Sequence, residues 1–192
     1  MGLDVYSLEI RKPRLNGKVY KEEELNSAGI SFNTVERFEK YADAVSQLIP
    51  YTQEVLVEIS YYDTDKIKAD YDLPDNAYIG VISCAGITMS GRFPDGTLKR
   101  AEIPASEIEE KYIIVKTEKC YAWKREEVAY WRKHYELQSA FYEALGDIEN
   151  CGYYVLDSEL INSIYENFPD DMAEVPQRDP GTESALFYHE WY

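Results

Sequence analysis

A chain of 192 residues, 45% hydrophobic and 29% charged, sits in the range of ordinary globular proteins, so disordered and fibrous classes are set aside and one domain spanning 1–192 is expected. The formal net charge of −16 opposes non-specific attraction to phosphate backbones or anionic lipid, which argues against direct nucleic-acid binding. Apolar runs reach only about four or five residues against the roughly 20 of a membrane helix, and no basic-then-apolar leader opens the chain, so a cytoplasmic protein with no membrane partner is expected.

Residues 3–10 (LDVYSLEI) are rich in β-formers, and Asn16-Gly17 after RKPRL is a turn signal; together they predict an opening hairpin. Met1-Gly2 is no myristoylation signal, because Tyr6 stands where that motif needs Ser or Thr. Asn33 and Glu36 form a capping pair ahead of Val35, Phe38, Ala42, Val45 and Leu48, whose spacings of three and four predict one amphipathic helix stopped by Pro50. Val55, Val57, Ile59 and Tyr61 alternate with polar residues as a half-buried strand does. The stretch from Asp63 to Asp75 reads as a solvated loop, since its spacing lacks the ligands and glycine of an EF-hand.

YIGVIS is expected to be a buried strand, GITMSGRF a second one ending at Pro94-Asp95-Gly96, and TLKRAEI a third. Ser106 and Glu109 form a capping box on a short helix, and YIIVKTEKCYAW reads as a strand. From Glu126 to Leu145 a period of 3.6 predicts a helix with Trp131, Tyr135, Gln138, Tyr142 and Leu145 on one stripe, stopped by Gly146. Tyr153–Val155 reads as a short strand and Asp157 as the N-cap of a helix with Leu160, Ile161, Ile164, Tyr165 and Phe168 on its apolar face, closed by Pro169. Residues 169–183 read as a surface crossing and ALFYHEWY as a terminal edge strand. Without a βαβ rhythm, the expected fold is α+β, a largely antiparallel sheet packed against about three α-helices.

Chemistry is sparse. Cys84, Cys120 and Cys151 are an odd number without C-x-x-C spacing, read as reduced, buried small hydrophobes, and His134 and His189 carry no ligand spacing. There is no G-x-S-x-G elbow, Walker loop or dinucleotide fingerprint, so no catalytic residue, metal ligand or cofactor is assigned and the balance leans against an enzyme. Gln138 on an apolar stripe needs a partner, a backbone group, a Tyr hydroxyl or the polar edge of a ligand. Arg132 can pair with Glu136 on a helix surface or, beside Trp131 and Tyr135, present a fork to phosphate. Trp131, Arg132, Tyr135 and Gln138 are therefore the candidate ligand site.

The charge excess is concentrated: residues 41–75 hold two basic and eight acidic groups, and residues 151–192 one and nine. These fields serve solubility or face a basic partner, with Asp63, Asp65, Asp70, Asp72, Asp170 and Asp171 as the candidate partner-binding residues. The 18 tyrosines fit core margins, ligand pockets and protein interfaces alike.

MGLDVY at the start, EEVAYWRK at 126–133, CGYYVLDSEL at 151–160 and ALFYHEWY at the end resemble, in order, a group of small hypothetical proteins of bacteriophages, prophages and bacterial genomes. That group opens with MGLD-x-Y and carries a YWRK-led helix that continues with Asn and later His where Tyr135 and Gln138 stand here. The resemblance implies a setting, a phage or mobile-element product inside a bacterial cell, and no activity. The leading expectation is a non-enzymatic acidic interaction protein that binds a host protein with a basic surface, with inhibition of a defence or nucleic-acid-handling factor one outcome of such binding and DNA mimicry a special case. The alternative is a small-molecule binder that sequesters a nucleotide-like anion. A third is a hydrolase or transferase using dispersed carboxylates and His134. Oligomeric state is left open.

Overall fold

The computed structural model describes residues 4–191. In chain order its elements are β1 (Asp4–Arg11), β2 (Val19–Lys21), α1 (Glu22–Ser27), β3 (Ile30–Thr34), α2 (Val35–Lys40), α3 (Ala42–Val45), a 3-10 turn at Ile49–Tyr51, β4 (Gln53–Tyr62) and α4 (Thr64–Asp70). Then follow β5 (Tyr78–Ser83), β6 (Gly86–Arg92), β7 (Leu98–Pro104), α5 (Ala105–Lys111), β8 (Ile113–Arg132), α6 (Tyr135–Leu145), β9 (Tyr153–Leu156), α7 (Ser158–Tyr165) and β10 (Ser184–Trp191). The class is α+β. Seven short helices replace the expected three, and two sheets replace one, among the described residues. The chain separates into two compact units, Met1–Val57 with Glu118–Tyr192, and Glu58–Thr117.

The first unit is built on a seven-stranded sheet in the order β2-β4-β8-β1-β10-β9, with β3 also on β8. The pairings of β1 with β8 and β10, of β9 with β10 and of β3 with β8 are antiparallel. ALFYHEW is not an edge: β10 lies between β1 and β9, so Ala185–Glu190 is buried without the alternation of a half-exposed strand. Tyr192, Met1, Gly2 and Leu3 of the sequence motifs lie outside the described residues. The opening hairpin does not form either, because β2 pairs with β4.

Both faces of this sheet are covered. On one, Val5, Trp131, Leu186 and Tyr188 pack with Leu137 and Phe141 of α6 and with Ile161 and Ile164 of α7. On the other, Leu8, Ile10, Trp123 and Phe187 pack with Phe38 of α2, Leu48 and Tyr51. The helix expected over 33–50 is three shorter pieces, capped by Thr34 rather than Asn33: the Thr34 hydroxyl accepts the Arg37 N–H at 3.3 Å. Asp157 does cap α7, accepting the Leu160 N–H at 2.8 Å.

The helix expected from Glu126 is a strand up to Arg132. The β1/β8 register slips between Ser7 and Leu8, placing a bulge at Val128 that exchanges the two faces of β8. Trp123 and Tyr130 consequently lie on one face and Trp131 on the other, a parity break that imitates a helical period. Lys133, at φ +57, ends the strand, and His134 caps α6, its Nδ1 accepting the Leu137 N–H at 3.2 Å.

Residues 169–183 are anchored rather than merely crossing a surface. Met172 and Val175 are buried in the α6–α7 core, the Trp131 indole N–H donates to the Asp171 carbonyl at 3.0 Å, and Arg178 pairs with Glu9 of β1.

The second unit holds the antiparallel sheet β5-β6-β7. Ile87, Met89, Ala101 and Ile103 pack against Ile67 of α4 and Ile108 of α5. The acidic stretch from Asp63 is not all loop: Asp63 caps α4 by accepting the Lys66 N–H at 3.1 Å. α5 starts after Pro104 without a side-chain cap, so Ser106 does not fill that role. β5 is exposed along most of its length rather than buried. Gly86, at φ +143, is required at the β5–β6 turn, where a Cβ would stand 2.0 Å from the Ile103 carbonyl oxygen.

Candidate functional site

The sheet register assembles a cross-strand row that no linear motif shows. Tyr130 of β8, Tyr6 of β1, His189 of β10 and Tyr153 of β9 are successive partners across four strands. Tyr6 and Tyr130 stack at 5.0 Å between ring centroids, and Tyr153 and His189 at 4.4 Å with planes 17° apart. At the Tyr153 end, this row opens into a cavity of about 470 Å³ beneath α2 and α3.

The walls are apolar: Phe38, Val45, Leu48, Trp123 and Tyr153. Polar groups come from Asn33, Arg37, Asn150, Cys151 and His189, and no acidic residue lines the cavity. This size and this mixture, apolar walls with a few convergent polar groups, are those of a small-molecule site. Among the described residues no carboxylate lies within ion-pair distance of the exposed Arg37 guanidinium. Trp123 is only 7% exposed, and its indole N–H has no acceptor. Its neighbours Phe38 and Tyr153 meet it edge-on, with ring centroids 5.6 and 6.5 Å away. A buried donor left unpaired costs about 1–3 kcal/mol, so an acceptor brought by a ligand would relieve that cost.

His189 is buried, and its Nδ1–H donates to the Gly152 carbonyl at 2.9 Å, which leaves Nε2 as an acceptor. Burial, reinforced by the Arg125 charge, pushes the pKa of its imidazolium down, so the ring is neutral near pH 7. Cys151, at φ +65, is exposed at the cavity, as Cys84 is exposed in the second unit; of the three thiols only Cys120 is buried as expected, and burial pushes its pKa up to about 11.

The residues chosen from the sequence are placed differently. Trp131 is core, its indole spent on Asp171. Arg132, the next strand residue, is exposed and lies 4.0 Å from the Asp4 carboxylate rather than beside Glu136 on a helix. Tyr135 opens α6 and is exposed. Gln138 finds its partner in Glu190, a residue with 0% exposure whose carboxyl group accepts from Gln138 Nε2 at 3.0 Å, the Tyr142 hydroxyl at 2.6 Å and the Tyr188 hydroxyl at 2.7 Å. That cluster ties α6 to β10.

The six aspartates fall in both units. Asp63 caps α4, Asp65 pairs with Lys68 at 3.4 Å, Asp70 accepts from the Tyr112 hydroxyl at 2.9 Å, and Asp72 pairs with Lys99 at 3.0 Å. Asp171 takes the His134 Nε2–H at 3.3 Å, so both nitrogens of that histidine are occupied by the fold, and Asp170 is exposed. Among the described residues, no group of His, Cys, Asp and Glu could hold a metal ion, and no helix is long and apolar enough to cross a membrane. No family model, curated protein or solved structure matches the chain.

Sequence reasoning passed over Trp123, Arg37 and Tyr153, and read His189 as an ordinary strand residue. Their convergence depends on strand register and on α2 lying across the sheet, neither of which a single sequence displays.

Proposed function

We propose that this protein is a non-enzymatic binder that sequesters a small planar anion of nucleotide-like chemistry in the cavity walled by Phe38, Trp123 and Tyr153. The carrying observation is a cavity without acids whose wall includes Trp123, a residue with a buried, unpaired indole N–H. A flat ring enters between aromatic walls, an acceptor on it takes the Trp123 N–H, and an anionic group meets Arg37 at the opening. His189 Nε2 accepts from a ring N–H or hydroxyl. The overall charge of −16 works against anion capture only at long range, because at physiological salt the field fades over about 8 Å and the charged group on the cavity wall is cationic. The resemblance described above supports the setting, a phage or mobile-element product in the bacterial cytoplasm.

A thermal-shift series with the common nucleoside monophosphates tests this. One or more is expected to raise Tm at millimolar concentration, and Arg37→Ala to remove the rise. No rise with any of them, or a rise unchanged in Arg37→Ala, contradicts it.

A second reading, an acidic surface for a basic host protein, draws on the acid-rich segments 41–75 and 151–192. It ranks lower because most of the selected aspartates are engaged locally by caps, lysines or a tyrosine hydroxyl. Its test is salt: capture of a host protein from bacterial lysate that is equally efficient at low and high salt contradicts it.

A further inference from the structure

Residues 76–91 contain no charged side chain, the longest such interval in a chain with 36 acidic and 20 basic residues. The interval contains β5 and nearly all of β6. β5 is an end strand of its sheet, hydrogen-bonded to β6 on one side and to no other strand among the described residues. Its side chains are apolar and stand out of the surface on both faces: Ile82 is 63% exposed on the face of Ile87, and Tyr78 and Val81, on the face of Thr88 and Ser90, are 65% and 55% exposed. Natural edges are protected by lysine, proline, inward charges, a β-bulge or a covering element. β5 carries a register shift between Ile79 and Val81 and none of the charged or proline guards, so Val81–Ser83 offers a free ladder flanked by apolar side chains.

We propose that β5 pairs antiparallel with β5 of a second copy, joining two three-stranded sheets into one across a two-fold axis. Charge selects this occupant. Two chains of −16 repel wherever acids face each other, and the uncharged interval is where identical surfaces can approach without that penalty. β5 itself offers a basic partner no carboxylate, and Glu102, two strands away across Thr88 on the face of Val81, is already paired with Arg100 at 3.0 Å. An isologous contact also closes after two copies, using up both exposed edges and covering Val81 and Ile82 on each. Because the contact is apolar while the surrounding surface repels, added salt strengthens it, the reverse of a contact held by ion pairs.

Sedimentation or light scattering of the full chain at tens of micromolar tests this against the 22.3 kDa monomer. A particle of twice that mass is expected, with the dimer fraction rising with protein concentration and with salt. Ile82→Lys and Val81→Lys, at exposed positions the fold tolerates, are each expected to shift the protein to monomer with unchanged Tm at high dilution. In a Cys84→Ser, Cys151→Ser background, Ile82→Cys, at the centre of the Val81–Ser83 ladder and opposite its own copy, is expected to form an intermolecular disulfide under mild oxidation, whereas Thr88→Cys on the interior strand β6 is not. A monomer at every concentration and salt, a dimer that survives both lysine variants, or open-ended oligomers overturns the proposal.

Discussion

Glu190 shows how a single buried acid can hold two elements together. Its carboxyl group is the shared acceptor for Gln138, Tyr142 and Tyr188, and the Tyr188 hydroxyl, held by burial and this bond, has its pKa pushed up. Glu190→Ala strands the buried Tyr188 hydroxyl and is expected to cost about 2–4 kcal/mol in urea unfolding, whereas Glu190→Gln keeps an acceptor and is expected to cost less than half of that. His189 sets the pH response. Its folded pKa is lowered by burial, so below the unfolded value of about 6.5 the unfolded chain binds a proton that the folded chain does not. Stability is therefore expected to be full above that pH and to fall as pH drops through 6.5. His189→Gln should flatten this part of the profile, as read by Tm between pH 5 and 8. Thiol labelling separates the cysteines: Cys84 and Cys151 are expected to react with a maleimide at once and Cys120, buried and with its pKa raised, only on unfolding.

Among the elements, those with uninterrupted alternation or a strong cap are legible in the sequence. β4 alternates Val55, Val57 and Ile59 inward as its pattern states, and Asp157 starts α7. YIIVKTEKCYAW reads as the strand it is, but the end of β8 is illegible for a physical reason: the bulge at Val128 switches the faces shortly before the strand ends at Arg132, so Trp123 and Trp131 fall out of phase and this end imitates a helical stripe. That misreading also moved the candidate site, since Arg132 and Tyr135 were joined by a helix that begins only at Tyr135. The strap at 169–183 was hidden by its polar composition, yet Met172 is fully buried under α6 and α7. Met172→Ala is expected to cost about 2–5 kcal/mol, a core-sized loss that a simple surface loop would not show. A measured cost under 0.5 kcal/mol would show that the strap carries no core.

At the scale of the molecule, charge and site chemistry separate. Some of the acids that dominate the composition are engaged by helix caps, lysines and arginines, as Asp63, Asp157, Asp65, Asp72 and Glu183 are, while the cavity under α2 and the strand β5 are places that the acids avoid. Composition announces the first feature and hides the second, because an average over 192 residues cannot show where charge is missing. The cavity claim rests on one atom and can be read from it. The three tryptophans give three indole N–H resonances, of which Trp131 is already bonded to the Asp171 carbonyl and Trp123 has no acceptor. In a titration of the uniformly labelled protein with the nucleoside monophosphate that raises Tm most, followed by nitrogen–proton correlation spectra, the Trp123 indole resonance is predicted to move downfield as it gains its acceptor. The Trp131 resonance is predicted to stay in place. A Trp123 resonance that is unmoved at saturating ligand would contradict the account.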